Sequence, residues 1–191
     1  MLKKIFLLLS RDASVTVVNF GILVILARYL SLPELAVWFS VQTIFLVLDG
    51  FCRFKSEIPF VVLYSTGKKS LLKSSQLIIV ATSSTLLILI YLLFREYIIE
   101  ITSTLITYKI THELDVIFLS FILSISGTSY LYYLTALRRY SLYNILLFLQ
   151  SLINLIFILV ALKFLDNAIY APILGQFFSW LFIFVVAIFS F

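Results

Sequence analysis

Long apolar runs, each closed by a short cluster of charge, set the rhythm of this chain. The clearest is LAVWFSVQTIFLVLDGFCRFKSE, residues 35–57. It opens with about 14 uncharged residues, most of the length a helix needs to cross hydrocarbon, and then brings in Asp49, Arg53, Lys55 and Glu57. Charge deep in a bilayer costs about 2.5–3.5 kcal/mol on insertion scales, so such a cluster belongs at a membrane edge or in a polar cavity. The same pattern predicts six spans, at about 13–30, 35–54, 75–94, 116–137, 142–164 and 169–191.

The connections differ in kind. Ser31-Leu32-Pro33-Glu34 reads as a tight turn, with Pro33 in the first turn of the next helix and Ser31 or Leu32 at the cap position. Residues 55–75 are wet, with Gly67, Lys68 and Lys69 marking a loop and the short apolar piece 58–64 reading as interfacial or re-entrant. Residues 95–115 mix both signs of charge with β-branched residues. They read as a solvated outer loop that includes Glu96, Glu100, Glu113 and Asp115. The opening segment MLKKIFLLLSRD lacks a small-residue cleavage site and is interrupted by Arg11 and Asp12, so it reads as an interfacial helix leading into the first span.

Composition agrees with the pattern. Hydrophobic residues make up 63% of the 191 and charged residues 12%, with a mean hydropathy of +1.16. A water-soluble chain of this size cannot hide that much apolar surface, so lipid is the solvent for most of it. The fold class expected is all-α: a polytopic membrane bundle of about six transmembrane helices in a single domain over 1–191. The net charge of +5 is scattered between apolar runs, which suits lipid headgroups and excludes a nucleic-acid stripe. Six spans leave both termini on one side. With the termini cytoplasmic, Lys3, Lys4, Arg11, Arg53, Lys55, Lys68, Lys69, Lys73, Arg138 and Arg139 lie inside, and only Arg28, Arg95, Lys109 and Lys163 outside. That asymmetry is what the positive-inside rule requires.

Catalytic chemistry finds no foothold. One cysteine (Cys52) and one histidine (His112) build neither a disulfide nor a metal site, and no nucleophile–base or phosphate-loop motif occurs. The chain reads as a non-enzyme with no cofactor. Its informative polar residues lie inside spans. Asn144, Gln150 and Asn154 recur along the fifth, with Gln150 and Asn154 four apart and so on one face. Gln176 lies in the sixth, beyond Pro172, which is expected to bend that helix or free a carbonyl. Such groups either bond helix to helix or line a water-filled cavity. Serines and threonines of the third and fourth spans read as small residues that let helices approach. Asp12, Asp49, Arg53 and Glu57 fall near the inner face. Asp49 and Arg53, an acid four residues before a base, read either as an interfacial ion pair or as a cytoplasmic mouth. Arg28 reads as a snorkelling side chain or an anion contact.

Three stretches resemble one family. Ala27-Arg28-Tyr29-Leu30-Ser31-Leu32-Pro33-Glu34-Leu35-Ala36 is similar to the "aR-x-L-g-p-e-e-f-G" turn between the first two helices of polysaccharide flippases, with Ala36 where the family has glycine. Asp49-Gly50-Phe51 is similar to the "d-x-G-l" end of their second helix, and Ala136-Leu137-Arg138-Arg139-Tyr140-Ser141 to the "a-l-l-r-a-x-g-r" turn after the fourth. The chain thus resembles the Wzx-type O-antigen and capsule translocases of the multidrug/oligosaccharidyl-lipid/polysaccharide (MOP) exporter superfamily. Those transporters have two six-helix lobes, and this chain resembles the N-terminal one. The resemblance implies flipping of an undecaprenyl-diphosphate-linked oligosaccharide across a bacterial inner membrane, driven by rocking against a second lobe or a second copy. Within that reading, polarity and span position make Arg28 and Arg53 the candidate anion contacts along the substrate path. Asn144, Gln150, Asn154 and Gln176 would bond sugar hydroxyls. Asp12, Asp49 and Glu57 would serve as counter-charges, gating groups or sites for a coupling Na+ or H+. Two alternatives stay open: a truncated, non-transporting membrane interaction subunit, and one lobe of a MATE-like drug or cation antiporter.

Overall fold

A backbone in hydrocarbon must satisfy its own N–H and C=O groups, and for single apolar segments the helix is the only solution. In a computed structural model the chain is accordingly all-helical; residues 2–53, 62–63, 71–105 and 112–190 are described, and among them there is no strand. Among the described residues six long helices follow in order: α1 (Leu2–Tyr29), α2 (Leu32–Arg53), α3 (Leu71–Leu105), α4 (His112–Ala136), α5 (Tyr140–Phe164) and α6 (Tyr170–Phe189). Four segments are long and apolar enough to cross a membrane: Ser74–Glu100, Glu113–Ala136, Tyr140–Phe164 and Tyr170–Phe189. Ala13–Tyr29 and Leu32–Leu48 are shorter apolar helices among the described residues.

Local chemistry sets the turns. Ser31 caps α2: its backbone N–H and its hydroxyl both donate to one oxygen of Glu34, at 2.8 and 2.6 Å, the return half of a capping box. α4 ends in a Schellman turn, with the Arg138 N–H on the Thr135 carbonyl (3.0 Å) and the Arg139 N–H on the Leu134 carbonyl (2.9 Å). That turn requires a left-handed residue, and Arg138 supplies it at φ 58°. Between α5 and α6, the Asn167 side-chain oxygen accepts from the Ile169 N–H at 3.2 Å.

Three expectations change. The opening segment is no separate interfacial helix: α1 runs unbroken from Leu2 to Tyr29, about 42 Å at 1.5 Å per residue. The stretch from Arg95 onward is not irregular either. α3 continues through it to Leu105, because Leu, Ile, Tyr and Glu keep it helical and the β-branched residues there cost little once a long helix is nucleated. Finally, Pro172 bends nothing. It falls in the first turn of α6, where its missing N–H would have had no intrahelical acceptor.

α4 is the central helix, with 61% of its apolar window buried against 17% for α3. The most extensive contacts are α6 with α5 and with α4; α1 packs on α5, α3 on α4 and α2 on α3, while α1 and α2 touch only lightly. Close approach in the tight block needs glycine at two places. A Cβ on Gly127 of α4 would stand 2.9 Å from atoms of Ile183 and Trp180, and one on Gly175 of α6 would stand 2.9 Å from the Asn154 carbonyl oxygen. Small residues at such crossings are the usual means by which membrane helices gain packing contacts.

The two ends of the bundle differ. Toward the α1–α2 turn, all six helices share one core that includes Ile22, Val41, Phe45, Leu87, Ile117 and Ile173. The ring of Phe45 stacks on Phe121 at 4.7 Å, and Tyr91 stacks on Phe118 at 3.8 Å. Toward the α4–α5 turn, α4, α5 and α6 keep a core of their own around Tyr130, Leu134, Leu146 and Ile183. Here α1 and α2 contribute no buried residue among the described side chains: the first buried on α1 is Ile22 and the last on α2 is Phe45. Outward faces such as Leu77, Ile78, Leu89, Leu92 and Leu93 of α3 are exposed and apolar. In water that patch would be anomalous, and against lipid it is solvated.

Candidate polar site inside the bundle

Two groups of interior polar residues join helices across the bundle. The first joins α2, α5 and α6. Gln176, on the second turn of α6, accepts a hydrogen bond from the side-chain amide of Gln42 on α2. Immediately beside it, Gly175 faces a different helix, toward Asn154 and Ile158 of α5. The side-chain oxygen of Asn154 is buried with no hydrogen-bond partner, and it lies where a Cβ on Gly175 would have to go. Ser179, fully buried, turns its hydroxyl back onto the Gln176 carbonyl at 2.9 Å. Just toward the α1–α2 turn lies a narrow apolar gap between Val37, Trp38 and Val41 of α2, Leu114 and Ile117 of α4, and Ile173 of α6. It has room for about one water molecule.

The second group joins α3, α4 and α6 near the α1–α2 end. Arg95 forks onto Asp115, Nε to Oδ1 and Nη2 to Oδ2, both at 3.1 Å, and reaches Glu96 at 2.9 Å. Tyr91 donates its hydroxyl to the same Asp115. Tyr170 donates to Glu113 at 2.7 Å, and Glu113 is buried. Glu113 and Asp115 stand in the first turn of α4, where the helix dipole favours a carboxylate. The expectation of a solvated acidic loop therefore fails for these two residues. Glu96 and Glu100 are exposed, but they stand on helix α3 and not in a loop. The loop reading failed because it assumed an end to the third span at residue 94. Once α3 continues, Tyr91 and Arg95 share a face with i, i+4 spacing and meet the start of α4.

The predicted pathway residues scatter across this frame. Gln176 and Asn154 come within one residue of a shared crossing, but face different helices. Gln150 and Asn144 of α5 are half-buried nearer the α4–α5 end, and Arg28 is exposed in the last turn of α1. Asp12, Asp49 and Arg53 lie on α1 and α2, with side chains outside the described residues, and Glu57 lies outside them altogether. The Ser/Thr residues of α4 mostly serve their own helix: Ser120 and Ser124 bond the carbonyls of Ile117 and Phe121 at 2.6 and 2.8 Å. Gln42 went unnoticed in the sequence, although a lone amide within the uncharged run 35–48 was a signal of the kind that drew notice to Gln176. Among the described residues no group of three or more His, Cys, Asp or Glu could hold a metal ion. No family model, curated protein or solved structure matches the chain.

Proposed function

We propose that this chain is one helical lobe of a membrane transporter that flips an undecaprenyl-diphosphate-linked oligosaccharide between leaflets, as its resemblance to the Wzx-type translocases implies. The observation that carries the reading is the Gln42–Gln176 contact between α2 and α6. Neutral amides are the groups that trade hydrogen bonds with sugar hydroxyls without a charge to desolvate, and each offers both donors and an acceptor. An intramembrane pair of this kind bonds helix to helix when the site is empty and can exchange its partner for a hydroxyl or water when it fills. The path would continue along the half-buried Asn144 and Gln150. Arg28 and Arg53 would attract the diphosphate, a Na+ or H+ gradient would drive the step, and a second lobe or second copy would complete the cavity.

A second reading rests on the tight interior. The gap between α2, α4 and α6 has room for about one water molecule, which favours a non-transporting subunit that works by contact with other membrane proteins. Expression in a bacterial strain lacking its own polysaccharide flippase separates the two. Restored surface polysaccharide, reduced at least about tenfold by a Gln176→Leu variant that inserts normally, is the expected result. Failure of the membrane-inserted chain to restore export, alone or as a linked dimer, would leave the interaction subunit as the better reading.

A further inference from the structure

We propose that a second copy of this chain packs against α1, through a seam formed by Thr16, Asn19, Phe20, Leu23 and Ala27. Such a pair does not depend on the transport reading above.

Asn19 is an amide in the wrong solvent. It stands nine residues before Arg28, which lies in the last turn of α1. At 1.5 Å per residue that is about 14 Å along the axis, half the depth of a hydrocarbon core of about 30 Å. Its side chain is exposed there and makes no hydrogen bond among the described residues. Inside the bundle the amides of Gln42 and Gln176 bond each other. Exposed hydroxyls on the neighbouring helices are satisfied locally: Thr43 donates to the Phe39 carbonyl at 2.7 Å, and Thr82 to that of Ile78 at 2.8 Å. A carboxamide has no such easy solution. It carries two N–H donors and an acceptor, while the N–H groups of its own helix are already spent on the backbone. In hydrocarbon an amide without partners is costly, and helix association through polar side chains removes that cost.

The pattern along α1 shows where the partner docks. Val18, Ile22, Ile25 and Leu26 turn toward the bundle core. Thr16, Asn19, Phe20, Leu23 and Ala27 follow at three- and four-residue steps on the adjoining flank, and all five are exposed. That spacing is the spacing of a helix–helix seam. α1 packs mainly on α5 and touches α2 only lightly, so it has a flank to offer. What fits there is decided by the partial charges of the amide. A carboxamide is complementary to itself, the N–H of one facing the C=O of the other. Two copies of Asn19 across a two-fold axis therefore exchange two hydrogen bonds. The membrane enforces the match, because every copy inserts the same way up. A two-fold axis along the bilayer normal brings each Asn19 to the depth of its counterpart, and Thr16, Leu23 and Ala27 to theirs. An unrelated helix would have to carry its own polar group at that depth.

Cross-linking and dilution test the pair. In a Cys52→Ser background, Leu23→Cys lies on the seam, one turn from Asn19. Val24→Cys lies at nearly the same depth on another face, 52% exposed in the parent. Oxidation in bilayers should link Leu23→Cys to itself as a disulfide and leave Val24→Cys monomeric. Energy transfer between fluorescently labelled copies of the full chain, diluted with lipid, should report a monomer–dimer equilibrium. Asn19→Leu should weaken it about sevenfold, the loss of two interhelical hydrogen bonds at their average measured strength. Asn19→Gln keeps the amide and should stay closer to the parent. If Asn19→Leu inserts poorly, Asn19→Ala carries the same expectation. Equal cross-linking at both cysteines would overturn the proposal, as would a monomer at every dilution or an equilibrium unchanged by loss of the amide. So would a Leu23→Cys cross-link that captures a different polypeptide in native membranes. Polysaccharide export restored by a monomer removes the seam alone. Dimerisation without export removes the transport reading alone.

Discussion

At the scale of single residues, the most exposed compromise is Arg138. The Schellman turn that ends α4 needs a left-handed residue at this position, and an L-residue with a Cβ pays about 1–2 kcal/mol for that conformation. Arg138 adopts it at φ 58° and is solvent-exposed. Arg138→Gly should therefore raise the unfolding midpoint in detergent, by about 1 kcal/mol in a denaturant titration. A fall instead would mean that the side chain contributes more than the backbone costs. The sequence makes the reason for retaining arginine legible: Arg138 and Arg139 are adjacent cations at a span end, which is how membrane chains fix their orientation. What it could not show was the φ of the residue between two spans. Nor could it show Asn154 left with an unpartnered oxygen against Gly175, because pairing across helices depends on register that no single helix encodes.

Among the elements, the number and type of the six described helices were readable, although only four of them are long and apolar enough to cross a membrane, since a run of about 20 apolar residues has only one way to satisfy its backbone in lipid. Span ends were less so. α3 reaches Leu105 and not residue 94, because charge at 95, 96 and 100 marks a polar boundary without marking the end of a helix. The error propagated: with α3 cut short, Arg95 and Asp115 fell in the same supposed loop and their pairing was invisible. Helix-to-helix contact makes a sharp prediction at the two kinds of glycine. Around Gly21 of α1 and Gly50 of α2 nothing lies within 4 Å of an added Cβ. At Gly175 the added methyl would collide with Asn154 and Ile158. Gly21→Ala should stabilise the fold by about 0.5–1 kcal/mol through helix propensity alone. Gly175→Ala should destabilise it by about 1–3 kcal/mol through overpacking. Pairing Gly175→Ala with Asn154→Ala should recover part of the loss, as coupled neighbours do. Similar effects at both glycines would mean that α5 and α6 are not in the contact described.

For the molecule as a whole, the question is which way it faces. Three turn regions share one end of the bundle: the α1–α2 turn, the start of α4 with its Arg95–Asp115 fork, and the α5–α6 turn. The α4–α5 turn with Arg138 and Arg139 lies at the other. Both ends carry charge, so the number of Lys and Arg at each end, rather than net charge, decides the orientation. The Arg95 cation is matched by Asp115 and Glu96, and α2 and α4 each begin with acidic residues in the first turn. At the α4–α5 end the first turn of α5 contains no acid and follows two exposed arginines. Retention on the cytoplasmic side depends on Lys and Arg and is little affected by Asp and Glu. The excess of cations in the inward-assigned segments therefore predicts that the α4–α5 turn faces the cytoplasm and the α1–α2 turn the opposite compartment. In a Cys52→Ser background, Leu32→Cys should react with an impermeant maleimide in intact cells, and Arg139→Cys only after the membrane is opened. Replacing Arg138 and Arg139 together with glutamine should produce a mixed population in which a fraction of Leu32→Cys becomes protected. Protection of Leu32→Cys in the parent would invert the bundle, and would place the Arg95–Asp115 fork on the cytoplasmic side.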